Sequence, residues 1–216
     1  MNYNNNRVRI IGELKDSFTF DHETHSEKFY GGTVRVMRAS GTYDEINVTI
    51  SERLIMFKRK YCPGETVEII GEYRSRNVVN EGKSRLILTL FAKEIYLCPD
   101  SAPHVNEMTL NGFICKKPIY RTTPFGRHIT DMLIAVNRGY NKSAYIPVIA
   151  WGRNAVFAKT LGVGDNITLQ GRVQSREYEK TLADGTTVTK TTYEVSASEI
   201  AVTSEINNER KDVKCT

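Results

Sequence analysis

Glu65-Thr66-Val67-Glu68-Ile69-Ile70-Gly71-Glu72-Tyr73-Arg74-Ser75-Arg76 returns later in the chain as Asp165-Asn166-Ile167-Thr168-Leu169-Gln170-Gly171-Arg172-Val173-Gln174-Ser175-Arg176, an offset of 100 residues. Gly71, Ser75 and Arg76 fall on Gly171, Ser175 and Arg176. The same offset lays Ile46-Asn47-Val48-Thr49-Ile50 on Ile146-Pro147-Val148-Ile149-Ala150, and Arg53 on Arg153. After a short insertion, Ala92-Lys93-Glu94-Ile95 matches Ala197-Ser198-Glu199-Ile200. Solenoid repeats run about 20–50 residues, so this longer period describes two copies of one small domain.

Within the second copy, apolar or alternating runs rich in Ile, Val, Thr and Tyr occupy 107–115, 128–137, 144–151, 165–178 and 187–202, and read as strands. Between the third and fourth lies Asn154-Ala155-Val156-Phe157-Ala158-Lys159-Thr160-Leu161. Its apolar spacing predicts a helix, with Asn154 as N-cap and Gly162 as stop. The first copy repeats the order, with a helix over Ser51 to Tyr61 capped by Ser51. The fold class is therefore all-β: two tandem OB-fold barrels, each five-stranded, with one short helix between strands 3 and 4. The expected boundaries are an N-terminal barrel over 1–98, a linker over 99–106 broken by Pro99 and Pro103, a C-terminal barrel over 107–203 and a loose tail over 204–216.

The sequence has 216 residues, is 40% hydrophobic and 25% charged, and carries a net charge of +5. No apolar run approaches the roughly 18 residues of a membrane span. The polar, Asn-rich start, Met1 to Arg9, does not read as a secretory signal. Cys62, Cys98, Cys115 and Cys215 are scattered, with no CxxC pair, as suits reduced thiols in a cytoplasm.

Alternate residues of a strand face opposite sides. In the third strand of the second copy, Ile146, Val148 and Ala150 form the core side, while Tyr145, Pro147, Ile149 and Trp151 face the other way. In the fourth, Ile167, Leu169, Gly171 and Val173 face the core, opposite Thr168, Gln170, Arg172, Gln174, Arg176 and Tyr178. The first copy acts as an internal control, because its third strand shows Glu45, Asn47, Thr49 and Ser51 on that face. Its fourth shows Glu68, Ile70, Glu72, Arg74, Arg76 and Val78. The cores match and the outer faces diverge, so the second copy's outer face is read as a binding surface.

Charge points the same way: residues 1–103 hold 15 basic and 14 acidic side chains, and residues 104–216 hold 15 and 11. The loop Asn137-Arg138-Gly139-Tyr140-Asn141-Lys142 adds an aromatic between two cations. Aromatics interleaved with Lys and Arg suit single-stranded nucleic acid, whose bases stack for about 1–3 kcal/mol each while the cations follow the phosphates.

Asn111-Gly112, Ile134-Ala135-Val136-Asn137-Arg138, Ile146-Pro147-Val148-Ile149-Ala150-Trp151-Gly152-Arg153, Gly164-Asp165 and Gly171-Arg172-Val173-Gln174-Ser175-Arg176-Glu177-Tyr178 together resemble the bacterial single-stranded DNA-binding protein family. The resemblance runs over about 107–202; the first copy is similar in layout and weaker in motif. It implies sequence-independent binding and protection of single-stranded DNA in replication, repair or recombination. It places base-stacking aromatics at Tyr140, Tyr145, Trp151 and Tyr178, and phosphate contacts among Arg138, Lys142, Arg153, Arg172 and Arg176. Two-barrel members assemble four OB domains from two chains, so the resemblance implies a homodimer.

Such proteins close in an acidic, hydrophobic tip that recruits replication and repair proteins. Here the last residues, Asn208-Glu209-Arg210-Lys211-Asp212-Val213-Lys214-Cys215-Thr216, do not match that tip. The first copy keeps only Tyr43, opposite Tyr140, of the stacking set, and is expected to serve assembly. The alternative reading is a primosome-type accessory that uses the same fold mainly for protein contacts.

No catalytic constellation, phosphate-cradling glycine loop or cofactor motif is present in the sequence, and an enzyme is not expected. Asp21-His22-Glu23-Thr24-His25 holds two histidines at a spacing unlike standard zinc sites and without a third ligand, so no metal is expected.

Overall fold

The computed structural model describes residues 5–56, 60–80, 83–139, 142–181 and 185–203. The first barrel is built from β1 (Asn6–Leu14), β2 (Thr19–Thr24), β3 (Glu27–Met37), β4 (Tyr43–Ser51), α1 (Glu52–Met56), β5 (Thr66–Asn80) and β6 (Lys83–Leu97). The second repeats it with β7 (Val105–Ile114), β8 (Ile119–Thr122), β9 (His128–Arg138), β10 (Lys142–Trp151), α2 (Gly152–Ala158), β11 (Asn166–Thr181) and β12 (Thr187–Val202).

Five strands close each barrel. In the first, β3, β4, β6, β5 and β1 pair in that order, and β1 returns to β3 through Glu13↔Arg35 and Leu14↔Val34. In the second, β7 returns to β9 through Phe113↔Ala135 and Ile114↔Ile134. The chain adds to the expected five a short strand, β2 or β8, that hairpins onto β3 or β9. The parallel pairing in each barrel is β4 with β6 and β10 with β12.

The alternation of apolar residues fixes which side is core. Ile10, Val34, Ile46, Val67 and Ile69 are fully buried, as are their counterparts Leu110, Ile134, Ile146 and Ile167. Each such side chain contributes about 1.5–3 kcal/mol by leaving water. Gly71 and Gly171 sit at matching bulges of β5 and β11. A Cβ at Gly71 would strike the Phe91 carbonyl oxygen, and one at Gly171 the Ser196 carbonyl oxygen. The repeated glycine is therefore a close-approach requirement.

Helix α1 begins as expected, with Ser51 Oγ accepting from Arg53 N–H at 3.2 Å. Helix α2 departs from expectation. It starts at Gly152, so Trp151 is the N-cap residue, without a side-chain cap bond, and Asn154 lies inside the helix. The Asn154 side chain instead donates to the Ser198 carbonyl at 2.7 Å, tying α2 to β12. The helix ends at Ala158, before Gly162. The connection between barrels is also shorter than expected, since Val105 and Asn106 belong to β7.

The barrels join edge to edge. β1 and β7 pair antiparallel, from Asn6↔Leu110 to Ile11↔Val105, about a centre at Val8↔Met108. Residues at the 100-residue offset therefore face each other across a pseudo-two-fold axis. Asn6 donates its amide to the Tyr73 carbonyl (2.7 Å) and accepts from Tyr73 N–H (2.9 Å). Asn106 does the same to Val173 at 2.8 and 2.9 Å. The linkage makes one continuous sheet, β6-β5-β1-β7-β11-β12, across both barrels.

Candidate nucleic-acid interface

The candidate face is the outer side of β10, flanked by β9 and β12. Its rows run Tyr145↔Ala135, Pro147↔Leu133, Ile149↔Asp131 and Trp151↔Ile129. Tyr145 is 46% exposed and Trp151 38%, while Ile146, Val148 and Ala150 on the opposite side are buried. Ile149, also expected outward, is only 3% exposed. Tyr178 is 41% exposed far out on the β11–β12 hairpin, opposite Lys190. Tyr140 lies outside the described residues.

The cations divide. Lys142, Arg153 and Arg176 are exposed at the rim. Arg138 is half-buried where β9 meets the first barrel, and its guanidinium pKa is pushed down by burial and by the like charge of Arg74. Arg172 is occupied: its guanidinium donates to Asp44 Oδ2 at 2.8 Å and to the Gln174 side chain at 3.2 Å.

Asp44 was not singled out by sequence reasoning. It is 1% exposed and also accepts from Arg38 and from the Ser175 N–H, the latter at 2.9 Å. At the other end of the seam the counterpart of Asp44 is Ala144, fully buried. The two crossings between barrels thus differ: one gathers its ion pairs on the buried Asp44, and the other gathers Arg74 and Lys93 on the half-buried Glu72. Both keep one shared bond, because Ser175 Oγ accepts from Glu45 N–H (2.8 Å) and Ser75 Oγ from Tyr145 N–H (2.7 Å).

The first barrel also carries outward rings, on strands other than the two compared above. Phe29 lies beside Ser51 in the β3–β4 register, and Phe91 beside Thr49 in the β4–β6 register. His22 stacks on Phe29 with centroids 5.0 Å apart and planes at 17°, and Phe29 meets Phe91 at 5.7 Å. The Arg74 guanidinium lies 3.5 Å over the Phe91 ring. Extending the parity argument to the second and fifth strands exposes this group, since Phe29 and Phe91 fall on the outward parity. Tyr43 is exposed, with its ring edge-on to His104 at 6.4 Å.

His22 is held by Asp21, whose carboxylate also takes Arg76 at 2.9 and 3.1 Å. Burial alone would push the Asp21 carboxyl up, but the bonds from His22 and Arg76 hold it below its ordinary value. Among the described residues, no three His, Cys, Asp or Glu side chains meet as a metal-ligand group. Cys62, Cys98 and Cys115 are free thiols, and Cys215 lies outside the described residues. No helix among the described residues is long and apolar enough to cross a membrane.

The geometry is thus a pseudo-symmetric pair of OB barrels with an exposed aromatic strip on one outer face. Residues 105–203 match the profile described as "Single-strand binding protein family". The match lies on the second barrel. It is 33% identical over 82 residues to single-stranded DNA-binding protein 2 of Streptococcus agalactiae serotype V, covering 35% of this chain and 63% of that protein. It is 34% identical over 82 residues to single-stranded DNA-binding protein 1 of Staphylococcus aureus, covering 35% and 49%. The chain thus spans less than two thirds of either relative's length.

The wild-type single-stranded DNA binding protein of Thermus aquaticus shares the whole two-barrel fold. Its TM-score is 0.75 at 18% identity, over 92% of this chain and 93% of that one. A deletion mutant of the same protein gives 0.76 at 19% identity, over 95% and 98%.

Proposed function

We propose that the chain binds single-stranded DNA without sequence preference, and protects it during replication, repair or recombination. The observation that carries this is the exposure of Tyr145 and Trp151 on a strand whose other face is sealed into the core. Large rings placed outward on a barrel offer π-faces to any unpaired base, and a duplex withholds its base faces from them. Tyr178 extends the strip, and Tyr140, outside the described residues, is the fourth stacking ring of this reading. Lys142, Arg153 and Arg176 follow the phosphates, Arg138 contributes at the seam, and Arg172 is shared with Asp44. Phosphate neutralisation releases counterions, so affinity falls as salt rises.

Two chains pair into a four-barrel homodimer in the cytoplasm, and replication or repair proteins are its further partners. The test is gel retardation of an oligo-dT strand against a duplex of equal length. Retention of oligo-dT at protein concentrations that leave duplex free supports the reading. Equal retention, or none, removes it in favour of a scaffold that works through protein contacts.

A further inference from the structure

We propose that the bound strand leaves the second barrel at its Tyr145 end, crosses the seam between Arg138 and Arg74, and continues over Phe91 and Phe29 of the first barrel. This rests on the single-strand reading above and specifies its route.

Three observations define the track. First, Tyr145 is anchored to the first barrel through Ser75 Oγ at 2.7 Å, so the aromatic strip of β10 ends against β5. Arg74, on β5 one residue before Ser75, lies on the same outer side as Glu72 and Arg76. Second, Arg74 is laid 3.5 Å over Phe91, and Phe91 leads to Phe29 at 5.7 Å and on to His22. A guanidinium over a ring extends the platform, and Glu72 holds this one in place through bonds of 3.0 and 2.8 Å.

Third, the aromatics are relocated by one strand. Trp151 on β10 has Ser51 as its counterpart on β4, but Phe29 stands directly across from Ser51. Ser196, beside Ile149, has Phe91 as its counterpart beside Thr49. The first barrel thus holds rings on the same face through neighbouring strands.

The opposite crossing lacks these rings. There Arg38 and Arg172 spend their charge on the buried Asp44, and Glu45 stands where the second barrel has Tyr145. An acid in place of a stacking ring repels phosphate.

The full-length protein is titrated with oligo-dT of about 10 and about 35 nucleotides, lengths that span one and several OB sites. Phe91→Ala and Arg74→Gln are each expected to weaken the long strand about tenfold and to shrink the occluded site, while leaving the short strand, seated on the second barrel, unchanged. Trp151→Ala weakens both lengths. If Phe91→Ala and Arg74→Gln bind the long strand with wild-type affinity and site size, the route is wrong although the function stands. If wild-type protein binds neither strand, the function itself fails.

Phe91 is part-buried, so a readout independent of variant folding is added: wild-type protein is cross-linked to a 5-bromodeoxyuridine-substituted 35-mer. Adducts on β3 or β6 peptides support the route. Adducts confined to the second barrel overturn it.

Discussion

Ser75 accepts a hydrogen bond from the Tyr145 backbone at 2.7 Å, so a residue of one barrel fixes the start of the aromatic strip on the other. The same bond recurs between Ser175 and Glu45 at 2.8 Å. The repeated serine of the sequence is therefore an assembly device. Duplication has placed it at both ends of the seam, while the residue it holds has become a ring at one end and an acid at the other.

Trp151→Ala should weaken binding to oligo-dT by about 1–3 kcal/mol, the range for loss of one base–aromatic stack. Its ring is partly exposed, so unfolding temperature should change little. Fluorescence anisotropy with labelled oligo-dT and a thermal melt check the two halves. Unchanged affinity would remove Trp151 from the contact surface.

Asp44→Asn should loosen the joint between barrels. The carboxylate is buried and serves Arg38, Arg172 and Ser175, and bonds to a charged group are worth about 2 kcal/mol. Urea unfolding should show a loss of that order. The same change releases Arg172 toward phosphate, so the salt dependence of oligo-dT binding should steepen by about one unit of slope.

Gly171→Ala should cost about 1–3 kcal/mol, the range for overpacking, because its Cβ would be driven into the Ser196 carbonyl at the β11 bulge. Gly71→Ala should behave alike against the Phe91 carbonyl. Denaturant midpoints of both variants test this. A neutral result at either would mean that the bulge relaxes freely.

Glu72 gives a pH signature. Burial alone would raise its carboxyl, but the hydrogen bonds from Lys93 and Arg74, with their charges, hold it below the ordinary value. A carboxyl depressed in the folded state stabilises above its unfolded value, near about 4.3, and that stability drains away as pH falls through the lower folded value. Glu72→Gln should therefore melt below wild type at pH 7, with the gap closing as pH drops below about 4. A gap independent of pH would contradict the assignment.

Most of the fold could be read from period and parity. Ile46, Ile146, Ile69 and Leu169 sit where alternation puts them, because a two-residue period has only two faces to choose from. The Tyr145–Trp151 strip was legible for the same reason. Asn154 misled, since an Asn near a helix start reads as a cap, whereas β12 offered its side chain a carbonyl partner. Contacts between barrels were not legible.

Asp44 looks like an ordinary loop acid, and only the folded seam brings Arg38 and Arg172 to it. Asn6 and Asn106 lie in segments that read as polar ends, yet they form matched bonds about the pseudo-axis. The rings of the first barrel escaped because Phe29 and Phe91 are distant in sequence. They become one cluster only through the pairings of β3, β4 and β6.

The most direct measurement uses the chain's single tryptophan, Trp151, as its own reporter. Its fluorescence is followed during titration with long oligo-dT, and separately with duplex, at two salt concentrations. A base stacked on the ring in a cationic groove predicts strong quenching by oligo-dT alone, weaker at the higher salt. No quenching, or an equal response to duplex, would contradict the account and place the aromatic face in a protein interface.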